Sequence, residues 1–156
     1  MAGNIQLEIV TPDKAVVSEE VKIVMAPGSL GEFGVLIGHT PFLTTLRTGI
    51  IRYTDAQGTE RYVFVNGGFA EALPDKVTVL AESSERREDV DLNRAKAALE
   101  RAEKRLEEAR TKTEIDADRA KAALERAVLL INLTEPRLFY PVFLLNLFYR
   151  VYAKKG

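Results

Sequence analysis

Apolar and polar positions alternate along the first half of the chain. Ile5, Leu7 and Ile9 are spaced by Gln6 and Glu8, the period of a strand with one face buried. Val21, Ile23 and Met25 repeat the pattern, with Lys22 and Val24 between them, so these three are expected to share one face. Arg61-Tyr62-Val63-Phe64-Val65 and Lys76-Val77-Thr78-Val79-Leu80 are short runs of β-branched and aromatic residues, which pack well on a pleated surface. Turn-forming residues separate the runs: Thr11-Pro12-Asp13, Pro27-Gly28, Asp55-Ala56-Gln57-Gly58, Asn66-Gly67-Gly68 and Pro74-Asp75. Many short strands at close spacing predict an all-β sandwich or barrel over residues 1–84.

The period changes near Ser83. Leu92, Ala95, Leu99, Ala102, Leu106 and Ala109 are spaced alternately by three and four, a heptad seam on one helix face. Arg110-Thr111-Lys112-Thr113-Glu114 breaks the run, and Ala117, Ala120, Leu124, Ala127 and Ile131 form a second seam. Thr113 is the expected N-cap of the second helix, with Asp116 three residues on. A short polar link between helices of similar length predicts an antiparallel hairpin over residues 85–133. Glu100 before Lys104, and Glu108 before Lys112, would add only about 0.2–0.5 kcal/mol each. Alanine at about half of the seam removes little surface from water. The hairpin should therefore be weak alone, and should lie against another surface or move easily.

Composition narrows the function class. The 156 residues include 22 Lys and Arg against 23 Asp and Glu, for a formal net charge of −1. Such a balance lacks the basic stripe of a nucleic-acid binder. With no cysteine there is neither a disulfide framework nor a thiolate metal site. Met1 to Asn4 lead straight into the first strand without a charged region and apolar run, so no signal peptide is expected. No run of about 18 uncharged apolar residues is present to span a bilayer.

Candidate chemistry is sparse. His39 is the single histidine, and one histidine cannot build a metal site. Gly28-Ser29-Leu30-Gly31-Glu32-Phe33-Gly34 is rich in glycine but lacks the Gly-Lys-Ser/Thr ending of a phosphate loop. Turns between strands are the plainer use of these glycines, and a hydrogen bond beside a turn is the plainer use of His39. No convergent catalytic set appears, which disfavours a small enzyme. A β-sandwich adaptor with a coiled-coil interaction hairpin remains the alternative function.

The segment Pro27 to Pro41 goes further. Its Gly31-Glu32-Phe33-Gly34 and Gly38-His39-Thr40-Pro41 turns, followed by Phe42-Leu43-Thr44-Thr45-Leu46, closely resemble the signature of the epsilon subunits of bacterial F-type ATP synthases, homologous to the mitochondrial delta subunit. Val10-Thr11-Pro12-Asp13, Val65-Asn66-Gly67-Gly68-Phe69-Ala70-Glu71, Lys76 to Ala81 and Val90-Asp91-Leu92-Asn93-Arg94-Ala95 match further family motifs in the right order. The resemblance spans about Asn4 to Ala127. It implies a flattened N-terminal all-β sandwich followed by a C-terminal antiparallel two-helix hairpin, in a non-catalytic rotor subunit with no required cofactor. It implies gamma and the c-ring as partners, and alpha and beta through the hairpin. It implies a peripheral place on the cytoplasmic face of a bacterial inner membrane, where rotation couples proton flow to ATP synthesis.

Three residues carry over as interface positions with gamma and the c-ring: Glu32, Gly34 and His39, expected in one loop at the end of the sandwich. In some bacterial members ATP holds the hairpin folded, and the hairpin can otherwise extend and inhibit ATP hydrolysis. The matching positions are Glu85, Asp91, Arg94, Arg101 and Arg126. Arginine suits phosphate because its planar fork donates two hydrogen bonds at once. The sequence departs from the pattern at Leu130, where strong ATP binders tend to carry another arginine. Solvated surface arginines are the plainer reading.

After Ile131 the resemblance fades. Thr134-Glu135-Pro136-Arg137 should stop the helix, and an apolar tail over residues 134–156 follows, with Pro141 inside it and Arg150, Lys154 and Lys155 near its end. An interfacial membrane anchor, an element docked on the sandwich and a reading-frame change all fit this composition.

Overall fold

The computed structural model describes residues 3–112 and 115–135. Nine strands are followed by two helices: β1 (Ile5–Val10), β2 (Ala15–Gly28), β3 (Gly31–Val35), β4 (Phe42–Leu46), β5 (Gly49–Asp55), β6 (Glu60–Val65), β7 (Gly68–Ala72), β8 (Lys76–Leu80), β9 (Ser84–Arg86), α1 (Leu92–Glu108) and α2 (Ala117–Thr134). The predicted sandwich and helices are both present. The apolar tail lies outside the described residues from 136 onward.

The strands form two layers that share β2. Its first half pairs with β1, from Ile5 opposite Val21 to Val10 opposite Ala15. Its second half pairs with β3 and β5. One layer therefore runs β3-β2-β5-β6-β9, and the other runs β4-β7-β8-β1. The expected face of Val21, Ile23 and Met25 is corrected here. The β2–β5 register slips between Val21 and Ile23, leaving Lys22 as an extra residue. A bulge of this kind reverses the alternation beyond it. Val24 and Ala26 are buried in the core, while Ile23 and Met25 are only half-buried. The bulge sits where β2 passes from one layer to the other.

The core is a single cluster between the layers. Ile5, Leu7, Ile9, Val24, Val35, Ile51, Val63, Val77 and Val79 all lie in it at no more than 1% exposure. Full burial of such side chains is worth about 1.5–3 kcal/mol each relative to exposure. Tyr53 is buried with them and donates its hydroxyl to Glu19 Oε1 at 2.6 Å. Burial, and then the Glu19 bond, pushes this phenol above the ordinary tyrosine range. At the β5–β6 turn the buried Asp55 carboxylate accepts from Gln57 N, Thr59 N and Arg61 Nε. Gly68 takes a φ of +110°, and a Cβ there would meet Leu80 O at 2.0 Å, so only glycine fits where β7 leaves its turn.

The hairpin has its own caps and a side to dock. Asp91 caps α1 by accepting from Arg94 N at 3.0 Å. The cap of α2 is Asp116, which accepts from Asp118 N and Arg119 N, and this corrects the expectation of Thr113, which lies outside the described residues. The helix begins at Ala117, so only Asp116 is placed to reach its first orphan N–H groups. Ala95, Ala102 and Leu106 are buried on α1, and Ala120, Ala127, Val128 and Leu133 on α2. Neither Glu100–Lys104 nor Glu108–Lys112 is among the ion pairs of the described residues; Lys121 and Asp118 do approach, at 4.0 Å. Lys96 Nζ lies 3.6 Å from Glu135 Oε1, tying the start of α1 to the end of α2.

Helix α2 packs over β5 and β6. Phe64 shows what holds it there. Val63 and Val65 point into the core, so Phe64 points outward, yet it is only 3% exposed. Its strand partner Ile50 is half-buried beside it. The outer face of one layer is thus covered by the protein's own hairpin, one of the two outcomes expected of the alanine-rich seams.

Candidate interface surfaces of the sandwich and hairpin

The other layer has no such cover. Along β7 and β8, Ala70, Ala72, Val77 and Val79 point inward, so Phe69 and Leu80 must point out. They stand directly opposite each other in the ladder. Phe69 is 53% exposed, Leu80 55% and Leu43 on β4 69%. Leu30 projects fully into solvent from the β2–β3 turn, whose Ser29 N bonds Thr45 O next to Phe69 in register. Contiguous exposed apolar groups of this kind mark surfaces that meet another macromolecule. Toward the opposite end the same face turns polar, with Lys76 Nζ 2.9 Å from Glu8 Oε2.

The segment from Pro27 to Pro41 forms a turn, a strand and a loop. Glu32 is the second residue of β3, opposite Pro27. Its carboxylate lies 3.8 Å from Arg52 Nη2, and Arg52 also approaches Glu60 at 3.5 Å. His39 lies beyond the far end of β3, in the loop that also holds exposed Leu36 and Ile37. No hydrogen bond or ion pair joins Glu32 to His39 among the described residues. This corrects the expectation of one loop: residues 31–35 complete a ladder with residues 24–28, so the last three residues of the strand and three of the following loop separate Glu32 from His39.

His39 is held firmly. Its Nδ1 lies 2.6 Å from Thr40 O, and a carbonyl can only accept, so Nδ1 carries a proton in this contact. The ring lies 5.0 Å from Phe42, which meets Phe33 edge-on at 5.1 Å, and both phenylalanines pack against the core. Gly38 N bonds Pro74 O at 2.6 Å, fixing the loop to the β7–β8 turn. Gly34 has a local reason for its identity: a Cβ would lie 2.8 Å from Met25 Sδ, its strand partner.

At the hairpin, the structure brings together three of the five predicted ligand positions. Arg94 Nη2 lies 2.5 Å from Glu85 Oε1, and Asp91 caps the helix that carries Arg94. Glu85 Oε2 is buried without a hydrogen-bond partner. Arg101 is exposed on α1 and Arg126 half-buried on α2, and neither joins this group. No set of three or more His, Cys, Asp or Glu side chains could hold a metal ion among the described residues. No described helix is long and apolar enough to cross a membrane.

Residues 4–87 match the family model for the β-sandwich domain of the ATP synthase delta/epsilon chain, and residues 88–135 match its long α-helix domain. The chain belongs to the ATP synthase delta/epsilon chain family. Among its relatives, the ATP synthase epsilon chain of Desulfatibacillum aliphaticivorans is 65% identical over 104 residues, covering 67% of this chain and 74% of that one. That of Desulforapulum autotrophicum is 67% identical over 104 residues, covering 67% and 77%. A chain of the Euglena gracilis mitochondrial ATP synthase, solved as OSCP/F1/c-ring, shares the fold, with a TM-score of 0.70 at 23% identity over 83% of this chain and 81% of that one. Membership makes this chain a non-catalytic subunit of an ATP synthase, and it removes the unrelated adaptor as an alternative. Sequence reasoning passed over Leu43, Phe69 and Leu80 as surface residues. The signal was present: two inward alanines and two inward valines force their neighbours outward.

Proposed function

We propose that this chain is the epsilon subunit of the central stalk, joining gamma to the c-ring and so coupling proton flow to ATP synthesis on other subunits. The carrying observation is the uncovered apolar strip of Leu43, Phe69 and Leu80, set on a layer stiffened by a fully packed core. Gamma covers the strip, and the loop of His39 with the outer face around Glu32 and Arg52 meets the rest of gamma and the ring. A rotor link must transmit torque without yielding, and a close-packed sandwich does so. The complex holds the chain at the membrane, on the cytoplasmic face of a bacterial inner membrane. The test is co-purification with gamma. Phe69→Asp with Leu80→Asp should abolish it while the circular dichroism of the sandwich stays unchanged, and Glu32→Gln with His39→Asn should weaken it. Wild-type recovery of gamma by the first pair would refute the assignment of the strip.

The hairpin is the regulatory part in this proposal, reaching alpha and beta when it leaves the sandwich and inhibiting hydrolysis there. ATP is the proposed ligand of the docked state. Support comes from Glu85 Oε2, a buried acceptor that an exocyclic amine could satisfy, beside the Arg94 guanidinium. Arg101 and Arg126 would have to turn toward the phosphates. Calorimetry of ATP with the isolated chain should show saturable binding that Glu85→Ala and Arg94→Ala remove; no binding by the wild type would discard the ligand.

A further inference from the structure

Ligand regulation aside, the junction between sandwich and hairpin has a built-in division. Polar bonds on one side of it point back to the sheet. Arg86 ends β9 opposite Val63. Its Nε donates to Val16 O at 2.7 Å, across seventy residues of sequence. Its Nη1 lies 3.5 Å from Glu19 Oε1, the oxygen that also accepts from Tyr53 OH. One guanidinium thus ties β9 to β2, and through Glu19 to the core residue of β5. Ser84, also in β9, is buried and donates its hydroxyl to Phe64 O at 2.8 Å.

On the other side the bonds point forward. Asp91 accepts from Arg94 N at its carboxylate and from Ala95 N at its carbonyl, both donors lying in α1. Between lie a single 3-10 turn, Arg87–Asp89, with no buried residue, and Val90, whose backbone is extended at φ −71° and ψ 120°. Three side-chain contacts bridge the division among the described residues, one of them the Arg87 guanidinium of the turn, 5.6 Å from the ring centroid of Tyr62 on β6. Glu85 pairs with Arg94, which is 58% exposed, and Arg86 lies 3.7 Å from Glu88. Such partly solvated pairs hold little. The main bridge is the apolar seat of α2 around Phe64.

Resting on the reading above that the hairpin leaves the sandwich, we propose that Arg86 is a latch that keeps β9 with the sheet, so that the chain divides at residues 87–90 and not within β9. The latch is a directional device. A planar fork can satisfy Val16 O and Glu19 at once, whereas a lysine ammonium reaches one of them. Without it, β9 would be a three-residue edge strand paired on one side only, and pulling on α1 would peel it from β6. The seat of the hairpin would then be lost with each excursion, because Ser84 and Phe64 bond through the same ladder.

Native-state hydrogen exchange on the full chain tests this. Phe64→Ala releases α2, so α2 amides should exchange faster while those of residues 84–86 keep wild-type protection. Arg86→Ala should raise exchange at residues 84–86 about tenfold or more, the scale of a lost charge-assisted hydrogen bond, with β1 and β8 unchanged. Arg86→Lys keeps the charge and one of the bonds, and should give a smaller rise. Release of residues 84–86 together with the helices in Phe64→Ala would overturn the proposal, as would unchanged protection of β9 in Arg86→Ala.

Discussion

The sandwich and the hairpin solve the problem of burial with different side chains. Only four of the nineteen residues in the sandwich cluster are alanine, and the rest are mainly β-branched or larger. In the hairpin, four of the seven buried residues are alanine: Ala95, Ala102, Ala120 and Ala127. One buried methyl group contributes about 0.8 kcal/mol, against about 1.5–3 kcal/mol for a valine, leucine or isoleucine. Close helix approach is thereby gained at the expense of stability. The sandwich holds itself together, while the hairpin depends on a seat built by Phe64. That asymmetry suits a subunit in which one part must stay rigid and another must change place.

The comparison breaks most sharply at Gly68. Gly68→Ala puts a methyl group on Leu80 O and forces a positive φ on alanine, at a cost of at least about 3 kcal/mol. Both regions should be lost together, because the hairpin has no seat without the sheet, and thermal unfolding by circular dichroism would read this as one large fall in Tm. Phe64→Ala should split the regions instead. A cost near 3 kcal/mol should fall on the hairpin alone, leaving the sandwich melting temperature close to wild type.

Asp55 sharpens the comparison by pH. The Thr59 N–H, and then the Arg61 guanidinium, hold its carboxyl below the ordinary range. A depressed folded value means that its stabilisation is complete above the unfolded value of about 3.9 and fades as pH falls through the folded one. Wild type should therefore be more stable than Asp55→Asn at neutral pH, with the gap closing only under acid conditions. Asp55 ends β5 in the sandwich, so the gap should appear in the sandwich transition. The smallest effect belongs to Glu32→Gln. Its partner Arg52 is half-exposed at 3.8 Å, so the melting temperature should not move, whatever happens to gamma binding.

Much of this organisation was legible in the residues. The change from period two to spacings of three and four falls near Ser83; the sheet runs on through β9 to Arg86, and α1 starts at Leu92, the first seam residue. The alanine content of the seams left the hairpin either lying against another surface or easily moved, and here α2 lies over β5 and β6. Three things were hidden. The bulge at Lys22 reverses the faces of β2, and nothing in Val21 to Met25 reveals a register slip set by β5. The α2 cap is a matter of which polar residue stands next to the first turn, and Asp116 stands closer than Thr113. The separation of Glu32 from His39 follows from the pairing of β3 with β2 in a local hairpin closed at Gly28 and Gly31, where the glycines by themselves signal only turns. The apolar strip was deducible from alternation, but only once the inward face of β7 and β8 was known.

Hydrogen exchange across the full wild-type chain tests the central asymmetry most directly. Amides of α1 and α2 should exchange at least about tenfold faster than those of β1, β2, β5 and β8, as a separate class with lower opening free energy. A single class, with helices protected as strongly as strands, would contradict the account.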